Sequence, residues 1–197
     1  MKFSIKKELK EWGILLGIFG ILYITGLHTE VAALAQRALL STGIITPDTE
    51  TIDSTFTETV NYDWTINSMD GNTIDMKQFK GKLLFINLWA TWCAPCRAEM
   101  PGIQSLYEEF DHENVEFILL SVDKNPVAVK SFIEKKEFTF PVYTLNGGIP
   151  KEFESPSIPT TYIVSPDGKI IKKKVGMAKY NTNSFKKFLE KHAIPVE

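Results

Sequence analysis

A chain of 197 residues with 44% hydrophobic content can bury one sizeable core and still have a segment to spare. Its formal net charge of −2 lacks the basic excess that a phosphate backbone demands, so nucleic acid is set aside as a partner. Only two cysteines occur, in Trp92-Cys93-Ala94-Pro95-Cys96, and none of His28, His112 and His192 stands at a spacing that would complete a zinc site with them, so no metal is expected. A disulfide closing so short a loop removes little entropy from the unfolded chain and is a poor staple, which leaves redox chemistry.

In chain order, Lys2, Lys6, Lys7 and Lys10 precede an uncharged run from Trp12 to Leu27. Sixteen helical residues rise about 24 Å against a hydrocarbon core of roughly 30 Å, so a membrane span here needs its flanks or snorkelling lysines. The lysine excess before the run and the scarcity of basic residues after it give a single-pass anchor with the N-terminus cytoplasmic. Everything downstream is then extracytoplasmic, or periplasmic in a Gram-negative cell. A signal peptide cleaved near Ala33-Leu34-Ala35 is the competing reading. Because Val31, Leu34, Ala35, Ala38 and Leu39 keep a helical period across that site, a continuous helix through Ala35 fits better. Residues 1–40 are thus read as a cytoplasmic N-terminus, a transmembrane anchor and a following helix.

Residues 41–59 hold seven threonines and two serines with no convincing hydrophobic period, the composition of a solvated linker. From 60 to 197 the pattern is that of an α/β domain. A short stretch lies around Val60 to Ile66, with a turn at Asp70-Gly71. The nearly continuous apolar run Leu83 to Trp89 reads as a central strand covered on both faces. A helix from Ala94 to Phe110 follows, then a strand at Val115 to Val122 and a helix at Pro126 to Lys136. Strands at Val142 to Leu145, Thr160 to Val164 and Ile170 to Val175 precede a helix from Thr182 to His192. This order gives a central mixed sheet flanked by helices. Lys172, Lys173 and Lys174 on the late strand read as a solvent-exposed edge device.

Cys93 falls where the buried strand gives way to a helix, so free N–H groups of the first turn point at its sulfur and stabilise a thiolate. An ordinary thiol titrates at about 8.5, and Cys-x-x-Cys sites are lowered from there, which raises the attacking fraction at neutral pH. Cys96, one turn on and facing inward, is the resolving thiol that releases a mixed disulfide. Pro95 in the first helical turn costs no hydrogen bond and stiffens the turn.

The stretch Asn87-Leu88-Trp89-Ala90-Thr91-Trp92-Cys93-Ala94-Pro95-Cys96-Arg97-Ala98-Glu99-Met100-Pro101 resembles the active-site segment of TlpA/ResA-type thioredoxin-like proteins. A looser similarity runs over about residues 60–195, and Ser157-Ile158-Pro159-Thr160-Thr161 resembles the cis-proline loop of that family. The resemblance implies a thioredoxin-like fold with a strand–helix insertion at Val115 to Lys136. It also implies a cis bond before Pro159, with Pro159 beside the Cys93 sulfur and Ile158 offering its backbone to an extended substrate segment. Ordinary thioredoxins carry an aspartate six residues before the first cysteine. Here that position is Asn87, which cannot shuttle a proton, and Glu99 matches the family's glutamate. Burial would raise its pKa and suit it to proton transfer with the thiols. Trp92 is a candidate docking surface, Trp89 serves shielding or core packing equally, and Arg97 reads as a solvated helix residue.

The expected activity is thiol:disulfide exchange with exported proteins through the redox-active Cys93–Cys96 pair, running as a reductase, with no dissociable cofactor. Electrons would come from a membrane electron-donor protein, and the resemblance extends to cytochrome c maturation. Two alternatives are a membrane-tethered binding protein whose Cys-x-x-Cys is vestigial and a thiol peroxidase. The peroxidase would want Pro-x-x-x-Thr-x-x-Cys, where this chain has Ile86 and Ala90.

Overall fold

The computed structural model describes residues 5–25, 27–48, 59–110 and 114–193. Residues 49–58 of the expected linker lie outside the described residues. The apolar run near the start forms two helices rather than one, α1 (Ile5–Ile24) and α2 (Leu27–Ser41). They meet at an elbow of 94°, and among the described residues no single helix is long and apolar enough to cross a membrane, although the bent pair together meets that measure. Helix α2 does run through Ala35.

The domain is a seven-stranded mixed sheet in the order β2-β1-β5-β4-β3-β6-β7. The strands are β1 (Thr65–Ser68), β2 (Thr73–Asp75), β3 (Leu83–Trp89), β4 (Val115–Ser121), β5 (Val142–Leu145), β6 (Thr160–Val164) and β7 (Ile170–Val175). Neighbours β3, β4 and β5 run parallel, and the remaining pairings are antiparallel. The first strand begins at Thr65 rather than Val60. Residues 60–64 make no ladder, and instead bury Val60 and Tyr62 against the sheet, with the Val60 N–H donating to the Gly168 carbonyl at 2.8 Å. Gly71 and Gly168 take positive φ in the turns after β1 and before β7, where a side chain would be strained.

Strand β3 is buried along its whole length, and its alternation divides the core. Leu83, Phe85 and Trp89 face one side, with α3 (Ala94–Glu109), α4 (Pro126–Lys136) and α5 (Asn183–Ala193) packed on it. Phe85 anchors that layer, its ring 5.1 Å from Phe117 and edge-on to Tyr180 at 5.2 Å. Leu84, Ile86 and Leu88 face the other side, which is closed by Val60, Tyr62, Met76, Phe79 and Phe153 from loops and short 3-10 turns. Asn87, at 0% exposure, is the one polar side chain of β3, and by alternation it points to the helical side.

The basic run on β7 corrects the expectation of a solvent-exposed edge. β7 is the edge strand, yet Lys172 is buried, reaching Asp48 at 3.5 Å and lying over the Phe188 ring. Lys173, on the opposite face, lies over Tyr162 and donates to the Glu154 carbonyl. Long lysine stems cover apolar surface while their ammonium groups find partners.

Candidate active site

β3 ends at Trp89, and four residues later Cys93 caps α3. Its backbone is extended (φ −86°, ψ 104°), and its sulfur accepts the Cys96 N–H at 3.3 Å. Cys93 and Cys96 form a disulfide, with Cα atoms 5.3 Å apart. Pro95 sits in the first turn, where no helical hydrogen bond is lost. Cys96 is fully buried, and Cys93 retains only 5% exposure. Both belong to the apolar cluster of Trp89, Ala90 and Met100, against which Ile158 also packs. Trp92 stands out at 62% exposure, whereas Trp89 is wholly internal, its ring 5.7 Å from that of Phe132.

The Ile158–Pro159 peptide is cis. Because Leu88 pairs with Thr160, continuing the β3–β6 register places Pro159 level with Trp89, at the strand end from which the cysteine turn departs. The loop is tied down on both sides. Thr160 Oγ1 donates to the Ser157 carbonyl at 2.8 Å, and the Gly176 N–H donates to the Pro159 carbonyl at 2.8 Å.

Beneath the disulfide lies a buried polar row that crosses three strands, since Asn87 pairs with Thr161 and Thr161 with Lys174. Glu99, on α3 at 2% exposure, closes the row. Asn87 Nδ2 donates to Glu99 Oε1 at 2.8 Å and to Thr161 Oγ1 at 2.9 Å, and the Ala178 N–H donates to Glu99 Oε2 at 3.0 Å. Tyr180 donates its hydroxyl to Thr161 Oγ1 at 2.7 Å. Burial pushes the Glu99 carboxyl up to about 8, against the downward pull of the Asn87 amide, the Ala178 N–H and the Lys174 charge. Burial and then the Glu99 charge hold the Tyr180 phenol well above its ordinary value. Glu99 therefore keeps its proton near neutral pH and can give it up close to the range in which thiols titrate. It also borders a cavity of about 330 Å³, shared with Arg37, Leu40, Ala98, Pro101 and Lys179.

Three parts of this arrangement were not visible in the sequence. Asp123, just past β4, holds the turn before Cys93: its carboxylate accepts the Thr91 N–H at 2.8 Å and the Thr91 hydroxyl at 2.7 Å. No local pattern marks it. Tyr180 and the Ala178 N–H come from an irregular loop and carry no motif. Arg97, read as solvated, has a side chain only 11% exposed. It pairs with Glu30, donates to Thr29 Oγ1 at 2.7 Å and lies over the Phe132 ring.

The AhpC/TSA family model matches residues 59–173. The thiol-disulfide oxidoreductase ResA of Bacillus thuringiensis subsp. konkukian (strain 97-27) is 39% identical over 107 residues, covering 54% of this chain and 62% of that protein. The ResA of Bacillus subtilis (strain 168) is 31% identical over 108 residues, covering 54% and 60%. The chain thus matches about three fifths of the length of these curated relatives. Among solved structures, StoA from Bacillus subtilis is similar at 27% identity and a TM-score of 0.54, covering 64% of this chain and 94% of StoA. A thiol:disulfide interchange protein of the thioredoxin family from Chlorobium tepidum TLS shares the fold at 20% identity and a TM-score of 0.53, covering 76% and 97%. The sheet and its helices form a thioredoxin-like α/β fold, and the resemblance to ResA-type proteins read from the sequence holds.

Proposed function

The chain belongs to the AhpC/TSA family, and from that premise we propose that it is a membrane-anchored thiol:disulfide oxidoreductase acting on exported proteins. The observation that carries the reading is the Cys93–Cys96 disulfide at the start of α3, with the cis-Pro159 loop at the neighbouring strand end and Glu99 buried one turn below. Cys93 attacks a substrate disulfide, the first-turn N–H groups stabilise its thiolate, and Cys96 displaces the mixed disulfide. The Cys93–Cys96 pair ends oxidised and the substrate ends as two thiols, so a dithiol donor must reduce the pair again. Glu99 supplies and removes the proton at the Cys96 sulfur. Trp92, Pro95, Ile158 and Pro159 form the substrate-docking rim, with Ile158 pairing to an extended segment.

The similarity to proteins named thiol-disulfide oxidoreductase ResA supports thiol-disulfide exchange. Reduction as the direction, a membrane donor as the electron source and cytochrome c maturation as the setting are the finer reading, which rests on the resemblance of the active-site segment. The charge bias around the apolar run supports an extracytoplasmic domain. A peroxidase reading is disfavoured because Ile86 and Ala90, both buried and apolar, occupy the positions where that chemistry needs proline and threonine. Reduction of insulin by the dithiothreitol-charged protein, lost in Cys93→Ser, tests the activity. Hydrogen peroxide consumption without disulfide reductase activity would overturn it. A redox titration against glutathione sets the direction, and a reporter fused after Thr59 that is active only outside the cytoplasm checks the topology.

A further inference from the structure

Helix α2 has two unlike faces. One is docked on the domain: Ala33 and Leu40 are buried against Ala98, Glu30 pairs with Arg97, and Lys136 donates to Glu30 Oε2 at 3.2 Å. The arm continues past the helix, where the Lys179 N–H donates to the Ile45 carbonyl at 2.9 Å and Pro47 is buried, so the first residues of the expected linker lie on the domain. The opposite face carries Leu27, Val31, Leu34, Ala35, Ala38 and Leu39, an uncharged stripe at helical spacing. Leu27, Val31 and Leu34 are 50%, 54% and 65% exposed. A helix that has already buried one face in the protein has no internal use for a second apolar face.

The elbow says what covers that stripe. It is continuous with α1, whose Trp12, Leu16, Phe19 and Ile24 are all exposed. With α1 inserted along a bilayer normal, its uncharged stretch from Trp12 to Ile24, about 20 Å long, needs a locally thinned hydrocarbon core and its charged flank at the surface, and the bend of 94° then lays α2 in the plane of that surface. His28 secures the corner, its ring stacked on Tyr23 at 5.3 Å with Nδ1 3.3 Å from the Leu22 carbonyl. We infer that α2 is an interfacial helix whose Leu27–Val31–Leu34–Ala38 stripe lies in the lipid bilayer surface while its other face carries the catalytic domain, so that the dithiol is held at the membrane. The inference rests on the membrane-anchored reading given above.

The consequence is a restriction on substrates. Packed helices stand about 8–10 Å apart, so α3 rides roughly that far above the α2 axis. Glu30, near the elbow end of α2, pairs with Arg97, the residue that follows Cys96 of the disulfide in α3. The disulfide therefore sits toward the anchor, roughly 10–15 Å above the apolar boundary. Thiols carried close to the bilayer by membrane-embedded partners meet it at high effective concentration, and thiols on stalks do not.

Nitroxide labels on single cysteines, placed in the full chain with Cys93→Ser and Cys96→Ser and reconstituted in phosphatidylcholine–phosphatidylglycerol vesicles, test the arrangement. Labels at Leu16→Cys, Val31→Cys and Leu34→Cys should be relaxed by oxygen and protected from a water-soluble nickel chelate, while Arg37→Cys should be relaxed by the chelate. A Leu16 label open to the chelate would sink the anchor and this inference together. A protected Leu16 label with Val31 and Leu34 labels as open as Arg37 would leave the anchor standing and overturn the interfacial helix. Spin–spin broadening between labels at Leu34 would assign the stripe to a second copy of the chain and overturn it too. In the active protein, Val31→Glu with Leu34→Glu should leave insulin reduction unchanged and slow exchange with a transmembrane peptide bearing a juxtamembrane disulfide by about tenfold. Equal rates on that peptide would count against the inference.

Discussion

The turn that carries the disulfide and the polar row beneath it are held in opposite ways. The turn is local: Cys93, Pro95 and Cys96 lie within one helix start, and the distant Asp123 carboxylate fixes it through Thr91. The row is assembled from β3, β6, α3 and the loop after β7, with Asn87, Thr161, Glu99 and Tyr180 each supplied by a different element. Thiol attack needs only a helix start and a reachable second sulfur. Holding a carboxylic acid protonated near neutral pH needs burial, and burial needs the whole fold.

The largest effect that would break this division concerns the sulfurs. Cys93→Ala should abolish exchange, and Cys96→Ala should accumulate mixed disulfides with substrate, both read on non-reducing gels. Trapping by the Cys93 variant instead would reverse the assigned roles. In the reduced protein Cys93 should be alkylated faster than Cys96, which is fully buried.

Glu99 comes next. Its folded-state pKa of about 8 lies above the ordinary 4.5, so the folded protein binds a proton that the unfolded chain gives up. That contribution to stability is fully present below about 4.5 and is lost as pH rises to about 8, at up to ~1.4 kcal/mol per pH unit. Urea unfolding of Glu99→Gln should show a flatter stability profile across that window, and the pH–rate curve for exchange should lose its upper limb. Above pH 8 the variant lacks a nearby anion, so the coupled thiol titration should move down. A profile matching the unsubstituted protein would make Glu99 a packing residue.

Asp123→Ala should follow. It strips the Thr91 N–H and hydroxyl of their acceptor, at a cost of about 1–3 kcal/mol in unfolding experiments, and should slow exchange because the turn before Cys93 loses its brace. Stability lost without any change in exchange rate would separate the turn's rigidity from its chemistry. The smallest expected effect is that of Tyr180→Phe. Deleting one hydroxyl from the far end of the row should cost about 0.5–1.5 kcal/mol and leave thiol attack unchanged, with a slight change in the Glu99-linked pH profile.

Legibility in the sequence followed the same division. The helix over Pro126–Lys136 and the strands at 142–145, 160–164 and 170–175 match the expected spans, because long apolar runs and proline-opened helices write their periods plainly. β2 was missed because three residues are too short to show alternation. The elbow between α1 and α2 was missed because Leu27, Val31 and Leu34 keep the helical period while the axis turns. Lys172 and Arg97 read as solvated from the sequence because charge reports solubility, whereas stem packing and ion pairs decide burial.

By itself the sequence determined the dithiol, its place at a strand-to-helix junction, the order of strands and helices, and an apolar N-terminal run, since each depends on neighbours within a few residues. Only the tertiary structure decided that Asn87 holds Glu99, that Tyr180 and Thr161 complete the row, that Asp123 steadies the turn, and that α2 lies on α3 with one apolar face free. Those are contacts between residues up to 79 positions apart, as for Ala178 and Glu99. The pKa of a buried acid is a property of its enclosure, and no local pattern records which distant segments will enclose it.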